Sequence, residues 1–166
     1  MLKKKNNPHA WTDEHIRVVK APKRLAQAPP QLKIPGQGKR ILQTNASDLY
    51  WGAVLLEEDD KGTRHYCGHA SGQFKLAAQH YHSSYKEMIA VKRGLQKFEF
   101  HLLGHHFTVQ MDNSSFPRAL DFKGKLLPNS QLLRLKDWFA KYNFEVNHIK
   151  GQDNVIADML SRPQQI

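Results

Sequence analysis

Apolar and polar residues alternate along the chain after residue 38, in segments short enough to be strands. Three such segments cover residues 40–46, 51–57 and 63–70, and the turn sequence Asp59-Asp60-Lys61-Gly62 separates the second from the third. Strands of this length joined by tight turns predict an antiparallel meander.

The second half of the chain alternates helices with strands. Apolar residues at helical spacing predict a long helix that begins at a Ser84–Glu87 capping box and ends before Gly104. The elements that follow are a strand, a helix, a strand and a short helix, at 107–112, 129–142, 144–149 and 155–162. The order βββ-α-β-α-β-α predicts an α/β fold, a mixed five-stranded sheet with helices packed on it.

The first forty residues form a different kind of segment. A helix capped by Thr12 or Asp13 is expected to run to Ala28 and to end at Pro29-Pro30. We therefore interpret residues 1–39 as a connecting helix and tether, residues 40–163 as one domain and residues 164–166 as a tail.

Composition and charge narrow the choice of partner. The chain has 166 residues, of which 40% are hydrophobic and 24% charged, so a wholly disordered chain is excluded. Lys and Arg exceed Asp and Glu by 25 − 15 = 10. Such an excess favours a polyanionic partner, nucleic acid in preference to an anionic membrane surface.

The compartment is predicted from what the chain lacks. No stretch reaches the roughly 18 apolar residues of a membrane span, and the N-terminus has no apolar core typical of a secretion signal. Cys67 is the single cysteine, which excludes a disulfide framework. We expect an intracellular protein, cytoplasmic or nuclear, with no membrane partner.

Three acidic residues are the candidates for chemistry. Asp112 ends a predicted strand, Glu87 lies in the first turn of the long helix, and Asp158 lies in the final helix. The carboxyl ends of strands form the ligand crevice of open α/β sheets, where these three carboxylates can converge. Clustered carboxylates suit Mg²⁺, and two such ions about 4 Å apart can hydrolyse a phosphodiester.

Each acid also has a purely structural interpretation. Glu87 can serve as the capping-box acid, Asp112 can begin an Asx turn, and Asp158 can be an ordinary helix-surface acid. Their combination with the strand order, not any one of them alone, favours a site.

Five segments of the chain carry a family resemblance. They are Ile41–Asp48, Trp51–Leu56, Tyr85–Val91, Met111–Asn113 and His148–Arg162. In this order they resemble the RNase H domain of reverse transcriptases, most closely those of plant pararetroviruses and gypsy-type LTR retroelements. Residues 11–35 resemble the helix and tether that join the polymerase part to that domain, so the polymerase part of the same polyprotein is an expected partner.

The resemblance implies an activity and a set of site residues. The family cuts the RNA strand of RNA–DNA hybrids with four carboxylates and two Mg²⁺ ions, for which Mn²⁺ can substitute. Carried over, Glu87, Asp112 and Asp158 would be metal ligands, and Glu87 would also lie near the substrate 2′-OH.

The fourth position departs from the family pattern. Asn45 stands where the family has the Asp of Thr-Asp-Ala-Ser, and a neutral amide binds a hard cation more weakly than a carboxylate. Asp48 cannot substitute, because it lies in the turn on the opposite strand face. We expect strongly reduced cleavage with hybrid binding retained.

Further residues are candidates for supporting roles. His148 either assists product release or sits at the end of the fifth strand. Lys86, Arg93 and Lys97 form one stripe of the long helix, suited to a phosphate backbone or simply solvated. Asn113 can donate to sugar or phosphate.

Three hypotheses remain open at this point. The first is a ribonuclease H domain that acts on RNA–DNA hybrids and is impaired by Asn45. The second is a non-catalytic module that binds hybrids, and the third is an inert product with no preference for hybrid over duplex DNA. A metal titration discriminates the first two, because only the enzyme fills two metal sites with substrate present.

Overall fold

The computed structural model describes residues 31–113 and 130–162. The predicted helix at 12–28, the helix start at Asn129 and the tail at 164–166 lie outside these residues. The meander, the long helix, the two later strands and the final helix can all be compared with the sequence-based expectation.

The meander predicted for the first half is confirmed. Strands β1 (Lys39–Ala46), β2 (Tyr50–Glu58) and β3 (Arg64–Gln73) pair antiparallel in chain order. Asp59 holds the turn between β2 and β3, where its Oδ1 accepts hydrogen bonds from the backbone N–H groups of Lys61 and Thr63.

The helices and parallel strands follow in the expected order. In sequence they are α1 (Leu76–Gln79), α2 (Ser83–Lys97), α3 (Glu99–Leu102), β4 (His106–Met111), α4 (Ser130–Phe139), β5 (Asn143–His148), a 3₁₀ turn (Gly151–Asp153) and α5 (Val155–Leu160). Strand β4 pairs parallel with β1, and β5 pairs parallel with β4. The sheet order β3-β2-β1-β4-β5 confirms the mixed five-stranded sheet. None of the described helices is long and apolar enough to cross a bilayer.

The two faces of the sheet bury different helices. Leu42 and Leu55 point to the face that α2 covers, where Met88, Val91 and Leu95 complete the main core. Their neighbours along the strands point the other way, because successive strand side chains alternate between faces. On that second face Ile41, Val54 and Leu56 pack against Ala157 of α5.

The start of α2 differs from the predicted capping box. His82 is the N-cap, and its Nδ1 accepts a hydrogen bond from the Ser84 N–H. Glu87 does not reach back to the cap, since its Oε1 accepts from the N–H of Ala46 in β1. The capping interpretation of Glu87 is therefore wrong, and the side chain is directed into the site described below.

The segment before β1 is attached to the sheet through one buried carboxylate. Glu57 is 1% exposed, and its Oε1 accepts hydrogen bonds from the N–H groups of Gly36 (2.9 Å) and Gly38 (2.8 Å). The ammonium of Lys33 lies 3.0 Å from the other carboxylate oxygen, and the Lys33 N–H donates to the Tyr66 carbonyl. Residues 33–38 thus pack on β2 and β3.

Candidate active site

The predicted site lies at the carboxyl ends of β1 and β4. These strands are parallel neighbours, so Asn45 near the end of β1 and Asp112 immediately after β4 lie at the same edge of the sheet. Helix α2 brings Glu87 to this edge, and α5 brings Asp158 from the opposite face. Asn45 and Glu87 are each 6% exposed.

Asn45 binds the final helix through its amide. Its Nδ2 donates to Asp158 Oδ1 (3.0 Å) and to Ser161 Oγ (3.0 Å). Ser161 Oγ donates in turn to the Asp158 carbonyl, so this hydroxyl is available to Asn45 only as an acceptor. Both partners therefore require a donor at Asn45, and a carboxylate in the same place would face Asp158 as a second negative charge.

Gly52 permits this close approach. It pairs with Asn45 across β1 and β2, so a side chain at Gly52 would point to the face that α5 covers. A Cβ there would lie 2.5 Å from the Ala157 carbonyl oxygen and 2.7 Å from Leu160 Cβ. The missing side chain lets α5 lie directly on the sheet and brings Asp158 to Asn45.

Glu87 is a buried acid with an unpartnered oxygen. One carboxylate oxygen accepts from the Ala46 N–H at 3.2 Å, while Oε2 is buried without a hydrogen-bond partner. Burial first, and then the negative charge of Asp112, raise the pKa of Glu87 to about 8. A cation beside these two carboxylates would relieve both effects.

The three acids and Asn45 form two pairs, not a single cluster. Glu87 is electrostatically coupled to Asp112, and Asn45 is hydrogen-bonded to Asp158. Within residues 31–113 and 130–162, no three His, Cys, Asp or Glu side chains lie close enough together to hold a metal ion. The Glu87–Asp112 pair fits a divalent cation by its unpartnered buried oxygen and its like charges. The Asn45–Asp158 pair offers one negative charge instead of two.

The negative charge of Asp158 is already in contact with a cationic side chain, that of Arg162. The Arg162 guanidinium donates to Asp158 Oδ1 from Nε (3.1 Å) and Nη2 (2.9 Å), and Nη2 also lies 2.9 Å from Oδ2. The Asp158 contact raises the pKa of Arg162 further above its ordinary value. The charge of Asp158 is thus paired with a cation that lies just beyond the end of its own helix.

Asp112 lies close to β5 and the 3₁₀ turn. His148, the last residue of β5, has its Nε2 3.1 Å from the Asp112 carbonyl, which can accept from it. A Cβ on Gly151 would lie 3.6 Å from Asp112 Oδ2. The exposed Asp112 side chain is therefore open to solvent and close to both features. Asn113 follows it directly and is half-buried.

The three basic residues predicted to form one stripe of α2 differ in their exposure to solvent. Arg93 and Lys97 are exposed, as expected for contacts with a phosphate backbone. The exposure expected for Lys86 is wrong: it is 6% exposed, because its ammonium donates to the Asp48 carbonyl (3.0 Å) and lies 3.4 Å from Asp48 Oδ1. Asp48 lies in the turn after β1, as predicted, and its carboxylate plays no part in the pairs above.

Three residues that shape the site, Gly52, Ser161 and Arg162, were not predicted from the sequence to have a role in it. Ser161 and Arg162 lie in a matched motif, and the four-residue spacing from Asp158 to Arg162 is typical of a helical ion pair. Gly52 within a strand is a signal of close backbone approach. Combining these signals would have predicted the contact between α5 and β2.

The sequence matches one described family. Residues 11–109 match the RNase H-like domain found in reverse transcriptase. The chain is 54% identical over 165 residues to a genome polyprotein of petunia vein clearing virus, which covers 99% of this chain and 7% of the polyprotein. The chain therefore spans a small part of the relative that it matches.

Solved structures share the fold of this chain. The foamy viral protease-reverse transcriptase in complex with RNA/DNA hybrid matches 95% of this chain and 21% of its own, with a TM-score of 0.59 and 15% identity. LC11-RNase H1 in complex with RNA/DNA hybrid, a protein isolated from compost, matches 74% of this chain and 93% of its own, with a TM-score of 0.53 and 20% identity. At these identities the likeness concerns the fold, whereas the family match covers more than half of the sequence. The chain belongs to the RNase H-like domains found in reverse transcriptases.

Proposed function

We propose that this chain binds RNA–DNA hybrids and that its cleavage of the RNA strand is strongly impaired. The observation that carries the proposal is the contact between Asn45 and Asp158, which joins two of the four positions that resemble the family's ligands. A hydrogen bond from a neutral amide to one carboxylate replaces the pair of carboxylates that would need a cation between them. The pair needs no cation to offset charge repulsion, and the site offers one negative charge fewer to a metal.

The chain's own residues have distinct roles in this proposal. Glu87 and Asp112 offer the carboxylates, and Asn45 and Asp158 complete the ligand set. Two Mg²⁺ or Mn²⁺ ions held there would supply the activation of a water molecule and the stabilisation of the leaving oxygen of the phosphodiester. The Ala46 N–H orients Glu87, and Gly52 holds α5 close enough to bring Asp158 into the site.

Hybrid binding uses the basic surface beside this edge. Arg93 and Lys97 are exposed on α2 and suit contacts with phosphate, and Asn113 lies next to Asp112. Lys86 lines a cavity of about 270 Å³ with Ser47 and Asp48. Recognition is expected to depend on shape and 2′-OH contacts, with binding that weakens steeply with salt.

The chain is expected to act beside a polymerase. It spans 7% of the petunia vein clearing virus polyprotein, and the foamy virus structure in complex with RNA/DNA hybrid contains protease and reverse transcriptase in one protein. By this likeness the natural partner is the polymerase part of the same polyprotein, with the residues before β1 as the connection.

The direct experiment compares cleavage of a labelled RNA–DNA hybrid by the parent chain and by Asn45→Asp, in Mg²⁺ and in Mn²⁺. We expect little or no cleavage by the parent and cleavage of the RNA strand by Asn45→Asp. Duplex DNA of the same sequence controls for contaminating nucleases. An Asn45→Asp chain that binds hybrid and still does not cut would contradict the assignment of the site.

A second function is favoured because both carboxylate oxygens of Asp158 already contact donors. Asn45 and Arg162 together give this carboxylate its donors without metal, as suits a module that only binds hybrids. Hybrid binding that is equal in EDTA and in Mg²⁺, with no cleavage by either chain, would favour the binding module. Two metal sites that fill when hybrid is added would favour the enzyme.

A further inference from the structure

Arg162 lies between the candidate active site and an open cleft. On one side its guanidinium contacts Asp158 through three short distances of 2.9–3.1 Å. On the other side it lines a cleft of about 330 Å³, together with Tyr50, Gln73 and Met159. This cleft is bounded by the start of β2, the end of β3 and the end of α5.

The contact with Asp158 competes with a metal ion for the same atoms. Asp158 Oδ1 accepts from Asn45 Nδ2 and from two nitrogen atoms of Arg162, and Oδ2 also lies against Arg162. Donors on both oxygens leave few lone pairs for a cation. The guanidinium charge also repels any cation placed beside it.

Arg162 is free to change partners, because the ion pair is at the surface. Its side chain is 68% exposed, and exposed ion pairs contribute little to stability. The cleft volume of about 330 Å³ lies at the lower end of the range for ligand sites. A guanidinium on its wall is suited to bidentate contact with phosphate.

We propose that Arg162 is an exchangeable counter-ion: it holds Asp158 in the metal-free chain and transfers to a backbone phosphate of nucleic acid seated in the cleft. The transfer frees the Asp158 oxygens for a metal ion. Nucleic acid binding and metal binding at Asp158 are then positively coupled, and Arg162 is the positioning residue that couples them. The proposal rests on the hybrid binding proposed above.

The first test measures metal binding without nucleic acid. Mn²⁺ is titrated into the parent, Arg162→Ala and Arg134→Ala, with free Mn²⁺ followed by electron paramagnetic resonance. Arg134→Ala removes the same charge from an exposed position of α4. We expect Arg162→Ala to bind Mn²⁺ about two- to fivefold more tightly, the scale of an exposed ion pair, and Arg134→Ala to match the parent. Unchanged or weaker Mn²⁺ binding by Arg162→Ala would overturn the proposal.

The second test measures hybrid binding in EDTA as a function of salt. Loss of one phosphate contact should weaken the affinity of Arg162→Ala and lower the slope of log affinity against log salt by about 1. Arg162→Lys keeps the charge without the bidentate geometry and should retain most of the slope. An Arg162→Ala chain with the parent's affinity and slope would contradict the cleft contact.

The two tests separate failure of this proposal from failure of the proposed function. A parent chain that binds no hybrid contradicts the proposed function, whatever the Mn²⁺ titration shows. A parent that binds hybrid while Arg162→Ala changes neither readout leaves the function standing and overturns the exchange. Thermal melting of each variant verifies that it is folded.

Discussion

Two buried glutamates in this domain have opposite surroundings. Glu57 and Glu87 are 1% and 6% exposed, so both lose most of their contact with water. Glu57 accepts from Gly36 and Gly38 and faces the Lys33 ammonium. Burial acts to raise its pKa, but the bonds from Lys33, Gly38 and Gly36 together lower it below the ordinary value. Glu87 has one N–H bond and an unpartnered oxygen, and its pKa rises to about 8.

The different surroundings of Glu57 and Glu87 distinguish an acid that stabilises the fold from an acid that serves a functional site. Both side chains have little exposure, and each has one oxygen that receives backbone N–H bonds. What separates them is the charge beside the second oxygen or carboxylate: the Lys33 ammonium lies 3.0 Å from Glu57 Oε2, whereas Glu87 faces the negative charge of Asp112. A carboxylate with N–H donors on one oxygen and an ammonium beside the other stabilises the fold, here by fixing the segment before β1. A carboxylate with one N–H donor, no cation and a second acid beside it is unfavourable when charged in the metal-free fold, and such groups are enriched at functional sites.

The largest expected effect is on the rate of hybrid cleavage, which should depend on Glu87 and not on Glu57. In the Asn45→Asp background, Glu87→Gln should lower hybrid cleavage by more than roughly 100-fold, since even the outer partners of metal ligands are worth about 10–100-fold. Glu57→Gln in the same background should leave the cleavage rate of folded protein unchanged, because Glu57 is directed toward the tether. Single-turnover cleavage at a temperature where both variants are folded checks this. Equal losses in the two variants would remove the functional distinction.

Stability should respond to pH in opposite directions at the two positions. The Glu57 pKa is lowered in the folded state, so its stabilisation is present above its ordinary pKa and is lost as pH falls. The Glu87 pKa is raised, so its contribution is complete below about 4.5 and is lost as pH rises toward 8, an effect of a few kcal/mol in metal-free buffer.

Urea unfolding of the Gln variants at pH 5, 7 and 9 measures this pH dependence. Glu57→Gln should cost about 2 kcal/mol at pH 7, since it loses a charged acceptor of several hydrogen bonds. Glu87→Gln should be close to the parent at pH 5 and more stable than the parent at pH 9. A Glu87→Gln variant whose difference from the parent does not change with pH would contradict the raised pKa.

The smallest effect concerns the glycines that approach Glu57. A Cβ at Gly38 would lie 2.6 Å from the Glu58 carbonyl oxygen and 2.7 Å from Glu57 Cγ, whereas a Cβ at Gly36 would meet only Glu57 Oε1, at 3.3 Å. Gly38→Ala should therefore cost about 1–2 kcal/mol by overpacking, and Gly36→Ala should cost less. Thermal melts of both variants provide the comparison. The reverse order would mean that the tether does not pack on Glu57 as described.

The fold could be predicted from the sequence because the patterns that indicate its strands, turns and helices are local. Alternating strands, the Asp59–Gly62 turn and the helical spacing after Tyr85 each depend on neighbouring residues, and the parallel order of β1, β4 and β5 follows from the helices between them. The helix cap was misassigned because Ser84 and Glu87 satisfy the capping pattern locally, while the Ala46 N–H, 41 residues away, binds the acid.

Only part of the site could be predicted from the sequence. Asn45, Glu87, Asp112 and Asp158 could be named from motifs, but their division into two pairs depends on long-range contacts. The Asn45–Asp158 bond joins residues 113 positions apart. Lys86 has the same helical spacing as Arg93, and only the position of the turn after β1 makes it a buried donor to Asp48.

The central claim is that Glu57 is a charged structural acid and Glu87 a protonated acid kept for a cation. Carbon-13 carboxyl NMR of glutamate-labelled protein tests it directly. The protein is titrated from pH 3 to 10 with and without Mg²⁺, and the Gln variants assign the two signals. Without Mg²⁺, Glu57 should titrate below its ordinary pKa and Glu87 near 8. With Mg²⁺, only the Glu87 midpoint should fall. A Glu87 carboxyl that titrates at its ordinary pKa and ignores Mg²⁺ would contradict the account.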